Sequence, residues 1–160
     1  MMKKYFFIIL FYSFLSASEY CPFCDPEIIS AQSFYEDDSV IGLYTHKPCE
    51  EGHCLIIPKR HVERYEELSD TEMASISNLI KKTQRAVENA YDKHDYLILE
   101  KNGKSAGQDV MHVHFHLIPT KPGSSRFVFL SKLLLRLLFP PISQSSLDEN
   151  RAKIQKELSY

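Results

Sequence analysis

The chain carries no excess of charge of either sign. Its 19 basic and 21 acidic side chains leave a formal net charge of -2, with a sequence pI near 6.4. That balance argues against a general binder of nucleic acid polymers, which displaces counterions with a basic patch. It leaves room for a small anionic ligand, which a few backbone N–H groups and imidazoles can hold. Internal repeats and low-complexity tracts are absent as well. No apolar run reaches the roughly 20 residues that a membrane-spanning helix needs. What remains, in 160 residues, is one domain with a single buried core.

The two ends are the least ordinary parts. Lys3 and Lys4, the apolar stretch 5–15 and the small residues Ser16, Ala17 and Ser18 follow the pattern of an export signal. Residues 1–18 therefore predict export or membrane attachment, with a cytoplasmic chain as the alternative. Residues 127–139 are strongly apolar, interrupted by Lys132 and Arg136, preceded by Arg126 and stopped by Pro140-Pro141. About thirteen residues cannot span a bilayer. Such a helix packs on the domain or a second subunit, or lies on a membrane surface. Ser146-Leu147-Asp148-Glu149 offers a capping box for a last helix through Ile154 and Leu158. Residues 126–160 thus form a helical extension.

Between the ends, strand and helix signals alternate. Residues 34–36 and 40–44 predict a hairpin with Asp37 and Asp38 at its turn. Cys54-Leu55-Ile56-Ile57, ended by Pro58, is a third strand. Ser69-Asp70-Thr71-Glu72 caps a long helix ending near His94, with Met73, Ile76, Ile80, Val87 and Ala90 on one face. Tyr96-Leu97-Ile98-Leu99 is a fourth strand, and residues 112–119 a fifth. The pattern predicts an α+β fold with the sheet covered on one face.

The fifth strand carries the chemistry. His112, His114 and His116 alternate with Val113, Phe115 and Leu117. In a strand the three imidazoles project to one exposed face and the apolar residues into the core. A metal comb, an inert set and a catalytic strand all fit that pattern. The loop Gly103-Lys104-Ser105-Ala106-Gly107-Gln108-Asp109 just upstream favours catalysis, since glycine-bearing loops present N–H groups to phosphate.

Residues 106–119, Ala-Gly-Gln-Asp-Val-Met-His-Val-His-Phe-His-Leu-Ile-Pro, resemble the signature of the histidine-triad (HIT) hydrolase family. A second matching block runs from Lys47-Pro48 through Gly52-His53-Cys54-Leu55-Ile56-Ile57-Pro58 to Arg64. Residues 19–125 are on this basis similar to a HIT domain, closest to the diadenosine polyphosphate hydrolases, with the phosphoramidases as neighbours. The resemblance implies a five-stranded antiparallel sheet with one long helix, paired in a homodimer. It implies that His114 attacks the α-phosphorus of a dinucleoside polyphosphate or nucleoside phosphoramidate and becomes nucleotidylated. Neutral imidazole is available for this near pH 7. His116 and Gln108 would contact phosphate and leaving group, His112 would complete the triad, and Asn102, Gly107, Asp109 and Val110 would stabilise developing charge. No cofactor is needed for that chemistry. Thr45 stands where relatives often have Asp or Asn toward the ribose, and Asp109 where they often have Ser or Thr.

Cys21-Pro22-Phe23-Cys24 is a CxxC open to structural zinc, a disulfide or redox chemistry. The resemblance supplies His53 and His112 as the remaining ligands of a zinc site with Cys21 and Cys24. A redox unit would need a helix after the motif, which Pro26 and the residues beyond it do not predict. His61 has no role readable from sequence, and His46 and His94 read as solvated. Two further readings remain: a non-catalytic zinc- or nucleotide-binding adaptor, and a CxxC thiol–disulfide oxidoreductase.

Overall fold

The structure, a computed structural model, describes residues 20–135, 138 and 140–159. The signal-like segment 1–18 lies outside them. Strands β1 (Ser33–Glu36) and β2 (Val40–Tyr44) form the expected hairpin, closed where the Asp37 carboxylate accepts the N–H groups of Ser39 and Val40. With β3 (Cys54–Pro58), β4 (Asp95–Glu100) and β5 (Phe115–Thr120) they build one sheet of order β1-β2-β3-β5-β4. Every neighbouring pair is antiparallel.

Two helices cover one face. Helix α2 (Asp70–Tyr91) starts at the predicted capping box: Ser69 Oγ accepts the Glu72 N–H, and the Glu72 carboxylate accepts the Ser69 N–H. It ends three residues before His94, because Asp92 turns left-handed at φ 54°. Helix α4 (Gln144–Leu158) packs beside it, and Leu147 and Ile154 join Ile76, Val87, Ile56 and Leu117 in the main core. Its cap is Ser143, whose hydroxyl accepts the Ser146 N–H, so the expected Ser146 box falls inside the helix.

Glu72 does two jobs. Its carboxylate also takes two charge-assisted bonds from Arg60, at 3.0 and 2.9 Å, and that guanidinium holds its pKa down at about 2. A depressed carboxyl contributes stability above its unfolded pKa and loses it as pH falls through the folded one. Glu72→Gln keeps the cap acceptor and loses the charge. We expect it to cost about 2 kcal/mol at neutral pH, with the difference from wild type vanishing between pH 4.5 and about 2. Urea unfolding across that range checks both statements.

The opposite face carries a smaller cluster of Phe23, Ile41, Leu43, Leu55 and Ile57, covered by the Pro22–Cys24 turn and by α1 (Pro26–Gln32). Helix α1 departs from expectation, since the sequence predicts no helix after Pro26. Asp25 caps it by accepting the Glu27 N–H, and Pro26 at the first helical position is a start signal. The helix runs into the antiparallel strand β1, so it forms no parallel βαβ redox unit.

Candidate active site

The sheet delivers His116 directly. It sits in β5 opposite Leu55 on β3, whereas Phe115 packs into the main core. Its ring therefore lies on the α1 face of the sheet. His112 and His114 precede the strand, contrary to expectation: the Val113 N–H donates to the Val62 carbonyl at 2.7 Å, outside the β3 ladder. All three rings are buried rather than exposed, at 0, 6 and 3 % accessibility. The cover is Phe23, whose ring centroid lies 5.8 Å from that of His112 and 5.2 Å from that of His114.

Fixed backbone groups decide which nitrogen of each ring carries the proton. His114 Nδ1 lies 2.7 Å from the His112 carbonyl, which can only accept. The proton therefore sits on Nδ1, which makes Nε2 the nitrogen that carries the lone pair. His53 Nδ1 faces the Cys49 N–H at 3.3 Å, which can only donate, so the His53 proton sits on Nε2. That N–H donates to His116 Nδ1 at 3.0 Å, which places the His116 proton on its own Nε2. One ring ends as a nucleophile and its neighbour, centroid 5.0 Å away, as a hydrogen-bond donor.

The loop before the triad is closed from inside by Gln108. Its amide oxygen accepts the Gly103 N–H at 2.6 Å and its NH₂ donates to the Glu63 carbonyl at 3.0 Å. Gly103 and Gly107 hold φ of 98° and 84°, a region that favours glycine. The N–H groups of Asp109, Val110 and Met111 donate to no group among the described residues. Three consecutive backbone donors without a described acceptor thus lie just upstream of the triad.

A second constellation lies beside the first. The ligand atoms of Cys21, Cys24, His61 and His112 fall within 4.8 Å of one another. His112 Nδ1 lies 3.5 and 3.6 Å from the two sulfurs, and His61 Nδ1 3.3 Å from Cys24 Sγ. A tetrahedron with usual zinc–sulfur and zinc–nitrogen bonds has S···N edges of about 3.6 Å. These three S···N distances fit it. His112 Nε2 donates to the Pro58 carbonyl at 2.9 Å, which turns Nδ1 toward the sulfurs, and burial lowers its pKa to about 4. It is neutral, as a ligand must be. His53 is not part of this group; it belongs to the relay to His116. The ligand assignment is corrected from His53 to His61. Cys21 and Cys24 form no disulfide, and burial first of all pushes the Cys21 thiol up to about 11. A redox CxxC works through a lowered thiol pKa, the opposite direction to that of Cys21.

The histidine arrangement coincides with a family match: residues 27–123 fit the HIT domain. The chain belongs to the HIT family. It is 37 % identical over 110 residues to an uncharacterized HIT-like protein of Methanocaldococcus jannaschii, covering 68 % of this chain and 83 % of that one. It is 44 % identical over 72 residues to the adenosine 5'-monophosphoramidase hnt1 of Schizosaccharomyces pombe, covering 45 % of this chain and 51 % of that one. Among solved structures, a hypothetical histidine triad nucleotide-binding protein of Sulfolobus tokodaii superposes with a TM-score of 0.70 at 27 % identity. That superposition covers 87 % of this chain and 92 % of that chain.

The remaining residues expected at the HIT site fall into two groups. Gly107, Gln108, Asp109 and Val110 are brought to the loop beside the triad. Asn102 is engaged elsewhere: its side chain accepts the Tyr65 N–H and donates to Glu66, so it fixes the 65–67 turn. Thr45 is buried, with its hydroxyl accepting the Lys47 N–H. A cleft of about 1360 Å³ runs from Cys21, Cys24 and His61 to residues 108–111, and Asp25, Glu63 and Lys104 line it as well. Phe23, His61 and Lys101 were not singled out from sequence. His61 had a cue in its place behind Pro58-Lys59-Arg60, but a ligand partner 37 residues away in Cys24 is a tertiary fact.

Lys101 answers the question that Asp109 poses. Its ammonium donates to the Gly107 carbonyl at 2.7 Å and pairs with the Asp109 carboxylate at 3.3 Å. It clamps the loop and neutralises a charge that would repel phosphate. Lys101→Met should lower kcat/KM roughly tenfold through loop misplacement, and Lys101→Arg should restore most of it. Steady-state kinetics of both variants on one substrate decide the matter.

Proposed function

We propose that this HIT protein hydrolyses a nucleotide at its α-phosphorus through a covalent nucleotidyl-histidine on His114. Family membership makes it a nucleotide hydrolase in class; the route follows from the proton positions. His114 Nε2 forms a bond to phosphorus while the bond from phosphorus to the leaving oxygen or nitrogen breaks. The Nε2–H of neutral His116 donates a hydrogen bond to that leaving group, which takes its proton from water. Water then attacks phosphorus, loses its proton to solvent, and releases His114 and the nucleoside monophosphate. The N–H groups of residues 109–111 and the clamped loop hold the phosphate oxygens as charge builds. The single observation that carries the reading is the pair of contacts on two adjacent buried rings, His114 Nδ1 to the His112 carbonyl and His116 Nδ1 to His53 Nε2. An adaptor has no use for that arrangement.

The substrate is a nucleoside monophosphoryl group linked through oxygen or nitrogen: a dinucleoside polyphosphate or a nucleoside phosphoramidate. Incubation with labelled diadenosine tri- and tetraphosphate and with adenosine phosphoramidate tests this. Turnover of any one supports the reading, and the fastest names the linkage. Binding of all three without turnover would leave the adaptor instead.

Cys21, Cys24, His61 and His112 would hold a zinc ion, which supplies a fixed cross-link rather than a reacting centre. Through it the 21–24 turn would hold His112, whose carbonyl orients His114. A homodimer is the proposed assembly. The outer edge of β4 supports it: it ends the sheet and exposes Tyr96 and Ile98.

A further inference from the structure

Helix α3 (Arg126–Leu135) carries the most exposed apolar surface among the described residues. Phe127, Leu130 and Leu134 recur at helical spacing and are 81, 53 and 79 % exposed, and Leu138, beyond the helix, is 78 % exposed. Phe129 and Leu133 are half-buried on the inner side. The helix is fastened to the domain by Lys132, which pairs with Glu50. A fixed stripe of four large apolar side chains is not left to water without a partner.

Charge indicates which partner. From residue 121 to residue 147 the sequence has four basic residues (Lys121, Arg126, Lys132 and Arg136) and no acidic one, although the whole chain is net negative. Lys121 and Arg126 are exposed at the start of the stripe. No described helix is long and apolar enough to cross a membrane. A short cationic helix with an outward apolar stripe lies in the headgroup boundary of an anionic bilayer. Nineteen residues precede the described chain, with Lys3, Lys4 and the apolar stretch 5–15 among them. One weak attachment binds marginally and two bind stably.

We infer that α3 is a membrane-surface helix that lays Phe127, Leu130, Leu134 and Leu138 into an anionic lipid bilayer, with the N-terminal segment as a second attachment. This surface is independent of the nucleotide reading. The chain contains no tryptophan, so Phe127→Trp in the full-length protein gives a reporter confined to α3. With vesicles of phosphatidylcholine and phosphatidylglycerol, Trp emission should shift to the blue and be quenched by brominated acyl chains. Pure phosphatidylcholine and high salt should weaken both effects, and Leu130→Glu with Leu134→Glu should abolish them while nucleotide turnover stays unchanged. A reporter that stays in water while the protein binds vesicles through its N-terminus overturns the assignment. Emission already blue without lipid also overturns it: if it depends on protein concentration a second copy covers α3, and if it does not the segment 5–15 does.

Discussion

Replacing His114 with alanine is expected to remove turnover, by on the order of 10⁴-fold or more. The residue is buried at 6 % accessibility, packs against Phe23 and bonds the His112 carbonyl. Its loss is therefore felt in stability too, by about 1–3 kcal/mol. Circular dichroism and a melting curve separate the two effects: a folded, less stable and inactive variant is the expected outcome. His116→Ala should also lose orders of magnitude, yet still form nucleotidyl enzyme from a substrate with a good leaving group, because only the N–H that bonds the leaving group is gone. Activity near wild type in folded His114→Ala would remove the nucleophile from the mechanism.

The second large effect concerns the metal. Protein purified under reducing conditions should hold one zinc per chain, and the double change Cys21→Ser, Cys24→Ser should abolish it. The cross-link ties the 21–24 turn to His112, so its removal should lower Tm by about 10 °C. The rate of the protein that remains folded should fall far less than in His114→Ala, since the ion stands off the reacting phosphate. Two single variants discriminate the ligand sets. His61→Ala should lose zinc, whereas His53→Ala should keep it and lose rate, because His53 directs the proton on His116. Metal retained in His61→Ala and lost in His53→Ala would reverse the assignment.

How far the sequence reaches depends on whether a feature is local. The hairpin at Asp37, the Ser69–Glu72 cap and the α+β sheet were legible because neighbouring residues determine them. The triad was legible as a pattern, but not its burial: the side chain that covers it, Phe23, comes from a turn some ninety residues upstream. Period-two alternation likewise continues through His112 and His114, although the ladder starts at Phe115. His53 and His61 flank the same strand, and nothing local says which one meets the cysteines. Tertiary packing sends one ring to His116 and the other to Cys24. Asn102 and Thr45 show the same limit, since their side chains bond nearby backbone where phosphate and ribose contacts were expected.

The most direct test of the mechanism is mass spectrometry of the wild-type protein quenched during turnover of the best substrate. The account predicts a nucleoside monophosphoryl group on the peptide containing His114, acid-labile as a phosphorus–nitrogen bond is, and absent from His114→Ala. Fragmentation should place it on His114 rather than on His112 or His116. An adduct on any other residue, or brisk turnover with no adduct under conditions that trap the intermediate, would contradict it.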